Sequence, residues 1–211
     1  MKTLQARGLS KTFGNKTVLR HIDFCVEAST FTAVLGENGS GKSTLLRILA
    51  GLCNPSKGSV EYGLPSGDRK SIRRSIGFVG HDAMAYADLT GRENLWFFGS
   101  LYGLSDLEAR IAELTTRFSM PGWLDQAART YSRGQRQRLA LARAMLHSPR
   151  LLLLDEPLSG LDEGVMLAVL HGLREEQRRG CIIMMSTHDV TAIASLRPQL
   201  LRLYQGKILR E

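Results

Sequence analysis

One segment limits what this chain can fold into more than any other: Gly36-Glu37-Asn38-Gly39-Ser40-Gly41-Lys42-Ser43-Thr44. It satisfies the pattern G-x-x-x-x-G-K-[ST] and lies between an apolar run, Phe31 to Leu35, and a run with helical periodicity, Thr44 to Leu52. Glycines let backbone N–H groups turn inward around an anion, and the N-terminus of the following helix adds partial positive charge. Lys42 is then placed to reach the β and γ phosphates of a nucleotide, and the Ser43 hydroxyl to hold Mg²⁺. A glycine-rich turn that binds nothing is the alternative.

The motif needs a buried strand before it and a parallel sheet around that strand. Short strands are predicted at Leu4–Ala6, Val18–Leu19, Ile22–Val26 and Phe31–Leu35, and later at Ile76–Val79, Leu151–Leu154 and Cys181–Met185. Helices are predicted over Arg92–Tyr102, Asp106–Phe118, Ser132–Leu146 and about Glu163–Arg179, with Asn54–Gly58 stopping the first helix. A hairpin of Leu200–Tyr204 and Lys207–Leu209 closes the chain. Strand and helix alternate except between about 90 and 146, so the expected architecture is an α/β parallel sheet carrying an inserted helical lobe. The expected division is a single domain with its core at 1–82 and 147–211 and the helical part at about 83–146.

Composition removes other classes. With 211 residues, 43% of them hydrophobic, the chain is long enough for one compact domain and too apolar for disorder. Its longest aliphatic runs have four residues, far short of the roughly 20 a bilayer needs, and Met1–Arg7 lacks the apolar core of a secretory signal, so a cytosolic chain is expected. Cys25, Cys53 and Cys181 fit neither a disulfide framework nor a zinc site and read as buried free thiols. The net charge of +8 is concentrated: Arg129, Arg133, Arg136, Arg138, Arg143 and Arg150 fall in an acid-free stretch, Gln126 to Leu154. That stretch is either a solvated helix face or a surface for phosphate or an acidic partner.

Hydrolysis needs more than a phosphate loop. Leu151-Leu152-Leu153-Leu154-Asp155-Glu156 carries two carboxylates to the C-terminal end of a buried strand, the ligand edge of an open α/β sheet. Asp155 is placed to orient the Mg²⁺ shell and Glu156 to take the proton of an attacking water. A solvated acidic turn is the plainer alternative.

At this point the chain resembles the nucleotide-binding subunits of ABC transporters. Tyr131-Ser132-Arg133-Gly134-Gln135 stands where that family has Leu-Ser-Gly-Gly-Gln, Ser159-Gly160-Leu161-Asp162 matches its D-loop, Thr187-His188-Asp189 its switch histidine, and Phe13 the aromatic that stacks on adenine. The resemblance covers essentially the whole chain. It implies a P-loop NTPase core with an N-terminal antiparallel β region, binding ATP and Mg²⁺ through Phe13, Gly36 to Thr44 and Asp155. It further implies a head-to-tail homodimer in which Ser132, Gly134, Gln135 and Asp162 act on the partner's nucleotide, and His188 contacts the γ-phosphate and the attacking water. The start of the Ser132 helix, rich in Arg and free of acid, favours an anion on physical grounds as well. The implied partners are transmembrane permease subunits, with no nucleic acid, at the cytoplasmic face of the inner membrane. A soluble ABC-type ATPase acting on nucleic acid or ribosomes is the rival reading, supported only by the basic pI.

The sequence also departs from the family pattern. Gly80-His81-Asp82 stands where a Gln usually touches Mg²⁺ and relays nucleotide state; His81 is a candidate for that relay and, with its softer nitrogen, a poorer Mg²⁺ ligand. Arg133 and Tyr131 replace a glycine and a leucine of the signature. Trp96, Phe97 and Phe98 are adjacent, and core packing is expected for at least two of them, a surface for a transmembrane partner's helix being the alternative. The segments Tyr86–Thr90, Glu93–Leu95 and Leu101–Leu104, with a chain that ends soon after its closing hairpin, most resemble the haem-exporter group of cytochrome c maturation. Exporters of drugs or polysaccharides come next.

Overall fold

The computed structural model describes residues 1–64, 68–80 and 85–209. Its first two strands are long, β1 (Thr3–Phe13) and β2 (Lys16–Glu27), and pair antiparallel around the turn after Phe13. β3 (Phe31–Leu35) is buried at every position, as a strand covered on both faces must be. The glycine loop then leads into α1 (Lys42–Leu49). β4 (Lys57–Tyr62) returns to pair with β1, and α2 (Arg69–Arg74), capped by the Asp68 carboxylate, precedes β5 (Ile76–Val79).

Three helices follow, α3 (Gly91–Tyr102), α4 (Leu107–Arg117) and α5 (Arg133–Met145). The chain then alternates through β6 (Leu151–Asp155), α6 (Glu163–Arg178), β7 (Ile182–Ser186), a 3₁₀ segment at Thr191–Leu196, β8 (Gln199–Tyr204) and β9 (Lys207–Leu209). The strands form two sheets. One is antiparallel, in the order β2-β1-β4; the other runs β5-β6-β7-β3-β8-β9 and is parallel apart from its last strand.

Alternate residues of the central strands serve two cores. Ala33 and Leu35, Leu152 and Leu154, Ile183 and Met185 pack with Leu95, Ile111, Leu139 and Val169 of the later helices. Val34, Leu151, Leu153, Ile182 and Met184 face the other way, onto Leu4, Leu9 and Leu19 of the antiparallel sheet and Leu45 and Leu49 of α1. The parallel sheet is thus covered on both faces, which explains why its strands read as unbroken apolar runs. Contact between α5 and β5 depends on Gly77, where a Cβ would lie 2.2 Å from the Ala144 carbonyl oxygen.

Several expectations need correction. β1, of 11 residues, far outruns the expected Leu4–Ala6, and β2, of 12, joins the two short strands expected at Val18–Leu19 and Ile22–Val26, because many of their residues face outward and carry polar side chains. The first helix ends before Asn54–Gly58, at Leu49, with Gly51 (φ 69°) in the turn that follows; Asn54–Gly58 instead leads into β4, whose exposed residues give no apolar signal. Of the cysteines only Cys181 is buried; Cys53 is half-buried and Cys25 exposed, and all three are free. Core packing does not take two of the three adjacent aromatics. Gly91, Asn94, Leu95 and Gly99 fill the inward stripe of α3, leaving Trp96 and Phe97 outside at 54% and 40% exposure, while Phe98 packs partly on the core.

The arginine stretch is neither a bare solvated face nor one continuous surface. Arg129 pairs with Asp88, Arg136 donates to the Tyr131 carbonyl, Arg138 donates to Ser119 and lies over Trp123, and Arg143 lies over Phe98.

The end of α5 is tied to β5 by His147. Its ring stacks on Tyr102 with centroids 3.9 Å apart, and its Nε2 lies 3.1 Å from the Ile76 carbonyl oxygen. Burial pushes its pKa down from 6.5 to about 4. The unfolded chain therefore binds this proton before the folded one does, and stability contributed at neutral pH is lost as pH falls from about 6.5 towards 4. By linkage the loss at pH 5 is about 2 kcal/mol. His147→Phe, which keeps the stack, should shrink the difference in urea stability between pH 7.5 and pH 5 by that amount; an undiminished difference would place the titration elsewhere.

Candidate functional site

The loop after β3 is held open by its glycines. Gly36, Gly39 and Gly41 have φ of 149°, 80° and 109°, and at Gly41 a Cβ would lie 2.7 Å from Leu19 Cδ2. Lys42, the first residue of α1, is buried and folds back over the loop, its Nζ donating to the carbonyls of Gly36 (2.7 Å) and Glu37 (3.1 Å). The Ser40 hydroxyl is buried without a protein partner. Glu37, Asn38, Gly39 and Ser43 are exposed, and Thr44 is half-buried in α1. A glycine cradle with a buried cation and an orphan hydroxyl fits a polyphosphate.

Two strands away, β6 ends in Asp155. β7 lies between it and β3, and the register sets Ser186 level with Asp155 on one side and Val34 on the other. The Ser186 hydroxyl donates to Asp155 Oδ1 (2.6 Å) and accepts the Glu156 N–H (3.0 Å), so one side chain fixes both acidic residues. Glu156 sits in the left-handed region, φ 51°, a conformation uncommon outside glycine. Its Oε1 lies 2.7 Å from His188 Nε2. Asp189 does not join them; it closes the following turn by accepting from Thr191 and Ala192, and its hydrogen bond with the Thr191 side chain leads the effects that lower its pKa.

Beside this cluster is a cavity of about 260 Å³ that Glu156, Ser159, Ser186 and His188 help to line. Among the described residues no group of three or more His, Cys, Asp or Glu side chains can hold a metal. Ser43 and Asp155 fit the alternative pattern, in which Mg²⁺ takes one or two carboxylates plus substrate phosphates.

A second cluster gathers at the start of α5. Ser132 and Gln135 form a reciprocal capping box, each side chain bonded to the other's backbone N–H. No described residue accepts from the N–H groups of Arg133 and Gly134, which leaves two donors at a helix N-terminus. Gly134 abuts the Gly160 carbonyl, and Asp162 caps α6 by accepting the Val165 N–H. Tyr131 is buried beneath, its hydroxyl bonded to Gly91 N and Leu124 O, and burial raises its pKa.

Phe13 stands half-exposed at the end of β1, with Lys11 Nζ 4.7 Å from its ring centroid. Its strand partner Lys16 shares a hollow of about 640 Å³ with Val18, Gly39 and Gly206, which brings this end of the antiparallel sheet to the loop. His81 lies outside the described residues.

Ser186 is the functional residue the sequence reading passed over. Its signal was a polar residue ending an otherwise apolar buried strand. Ser186→Ala would leave the buried Asp155 oxygen and the Glu156 N–H unpaired and should lower stability by about 1–3 kcal/mol in urea unfolding; an unchanged midpoint would show that the bridge contributes nothing.

Residues 19–159 match the profile of the ABC transporter family. The ABC transporter ATP-binding protein NatA of Bacillus subtilis (strain 168) is 32% identical over 199 residues, covering 90% of this chain and 80% of that protein. Among solved structures, an ATP-binding subunit of an ABC transporter superposes with a TM-score of 0.87 at 30% identity, over 97% of this chain and 87% of that one. A dimeric bacterial ABC transporter cassette gives a TM-score of 0.88 at 25% identity, over 98% and 97%.

Proposed function

The chain belongs to the ABC transporter family as an ATP-binding subunit, and on that premise we propose that it drives an exporter, working as a head-to-tail dimer against separate transmembrane permease subunits. It is an ATPase that uses ATP and Mg²⁺. The observation that supports the catalytic reading most is the bridge Asp155–Ser186–Glu156, with His188 on Glu156, at the same sheet edge as the glycine loop.

In this reading the N–H groups of residues 36 to 44 and the Ser40 hydroxyl surround the triphosphate. Lys42 exchanges its loop carbonyls for β and γ oxygens, and Phe13 stacks on the base. Ser43 and Asp155 are the residues that hold Mg²⁺, which when bound neutralises phosphate charge and orients the phosphates for in-line attack. Glu156 takes the proton from the attacking water at a carboxylate oxygen, a role worth typically 10²–10⁴ in rate. His188 holds that carboxylate in place. The bare N–H groups at the start of α5, with Ser132, Gln135 and Asp162, serve the nucleotide of the second protomer, which is why two chains are needed.

For the permease we propose the groove of about 750 Å³ lined by Leu52, Phe78, Tyr86, Phe98, Tyr102 and His147. Trp96, Phe97 and Leu101 stand exposed on the same helix as two of these residues, and an exposed apolar patch of this kind marks an interaction surface. Residues 83–146, in this reading, are the lobe that carries the permease's motion. Among the described residues no helix is long and apolar enough to cross a membrane, and the place proposed for the subunit is peripheral, on the cytoplasmic face of the inner membrane. The proposed cargo is haem for cytochrome c maturation. It is supported by the segments Tyr86–Thr90, Glu93–Leu95 and Leu101–Leu104, and normal cytochrome c assembly in cells lacking the chain would contradict it.

Glu156→Gln should bind Mg-ATP with undiminished affinity, form a dimer that wild type holds only transiently, and hydrolyse at least about 100-fold more slowly. Unchanged turnover would remove Glu156 as the base. Phe97→Asp should retain ATP binding and lose the membrane proteins that co-purify with wild type from detergent extracts; their retention would move the docking surface elsewhere.

A further inference from the structure

Arg133, where the family signature has glycine, is the first residue of α5. Its side chain is exposed but lies along its neighbours rather than standing free. Nη2 donates to Ser159 Oγ at 2.9 Å, and the aliphatic stem lies flat on Gly160, where a Cβ would come within 3.4 Å of Arg133 Cδ. One turn further along the same helix face, Gln137 Nε2 donates to the Pro157 carbonyl at 3.0 Å. Two side chains spaced i and i+4 therefore stitch α5 to residues 157–160. That short segment runs directly from Glu156 to Asp162.

We propose that Arg133 is a positioning residue that fastens the start of α5 to the segment carrying Glu156 and Asp162, so that the two move as one body. The inference rests on the head-to-tail reading above. In that arrangement the start of α5 serves the partner's nucleotide while Glu156 serves the chain's own, and Arg133 links one site to the other. The guanidinium suits the task because its planar, permanently charged fork donates to Ser159 while its stem packs on Gly160. A glycine at 133 would leave Gln137, among the described residues, as the one side-chain hydrogen bond between α5 and residues 157–160.

The test is steady-state ATP hydrolysis by the full chain as wild type, Arg133→Gly, Arg133→Lys, Ser159→Ala and the double variant Arg133→Gly/Ser159→Ala. Loss of one charge-assisted hydrogen bond should lower kcat about tenfold in Arg133→Gly, with KM for ATP within about twofold. Ser159→Ala should fall in the same direction, the double variant should be no worse than Arg133→Gly alone, and Arg133→Lys should recover most of the loss. Losses that multiply in the double variant, or a rise in KM at unchanged kcat, would overturn the proposal. Dimerisation of Glu156→Gln with Mg-ATP separates the two levels: a persistent monomer overturns the dimer reading and this proposal together, whereas a normal dimer with multiplying losses overturns this proposal alone.

Discussion

Three parallel strands that end level with one another are what the site depends on. β7 lies between β3 and β6, and its last residue, Ser186, is in register with Val34 on one side and Asp155 on the other. At the usual spacing of neighbouring strands the glycine loop and the acidic pair are then about 10 Å apart, a span that a triphosphate with its metal can bridge. A slip of one residue in β7 would turn Ser186 to the other face of the sheet and leave both acidic residues without their partner. The two apolar cores hold that register, because Ile182 and Met184 fit one and Ile183 and Met185 the other.

The second group of functional residues depends on helix ends rather than strand ends. Ser132 and Asp162 are both N-caps, one of α5 and one of α6, and the segment from Glu156 to Asp162 joins strand chemistry to helix chemistry. The capping box satisfies Ser132 and Gln135 internally, so in the proposed reading the donors left for an anion are the N–H groups of Arg133 and Gly134. This division explains how Arg133 can replace a glycine without blocking the helix start: its side chain is drawn sideways onto Gly160 and Ser159.

What was legible in the sequence was local. The loop from Gly36 to Thr44 states its own conformation in its glycines, and the run Leu151–Glu156 states both burial and edge. What was not legible was set by partners distant in the chain. Ser186 acquires its role from a residue 31 positions earlier. β4 is recognisable only through its pairing with β1, since its own side chains are mostly exposed. Trp96 and Phe97 face outward because Gly91 and Gly99 bring α3 close to its neighbours, so small residues rather than aromatics occupy the inward stripe. Cys25 was misjudged because a strand with one solvated face exposes every second residue, whatever its type.

The most direct measurement is a crystal structure of the Glu156→Gln chain with Mg-ATP. The expected result is a two-fold dimer in which residues 36 to 44 of one protomer wrap the triphosphate, Ser186 still bridges Asp155 and residue 156, and the start of α5 from the other protomer rests on the γ-phosphate. A monomer with ATP seated in the glycine loop and the start of α5 open to solvent would contradict it.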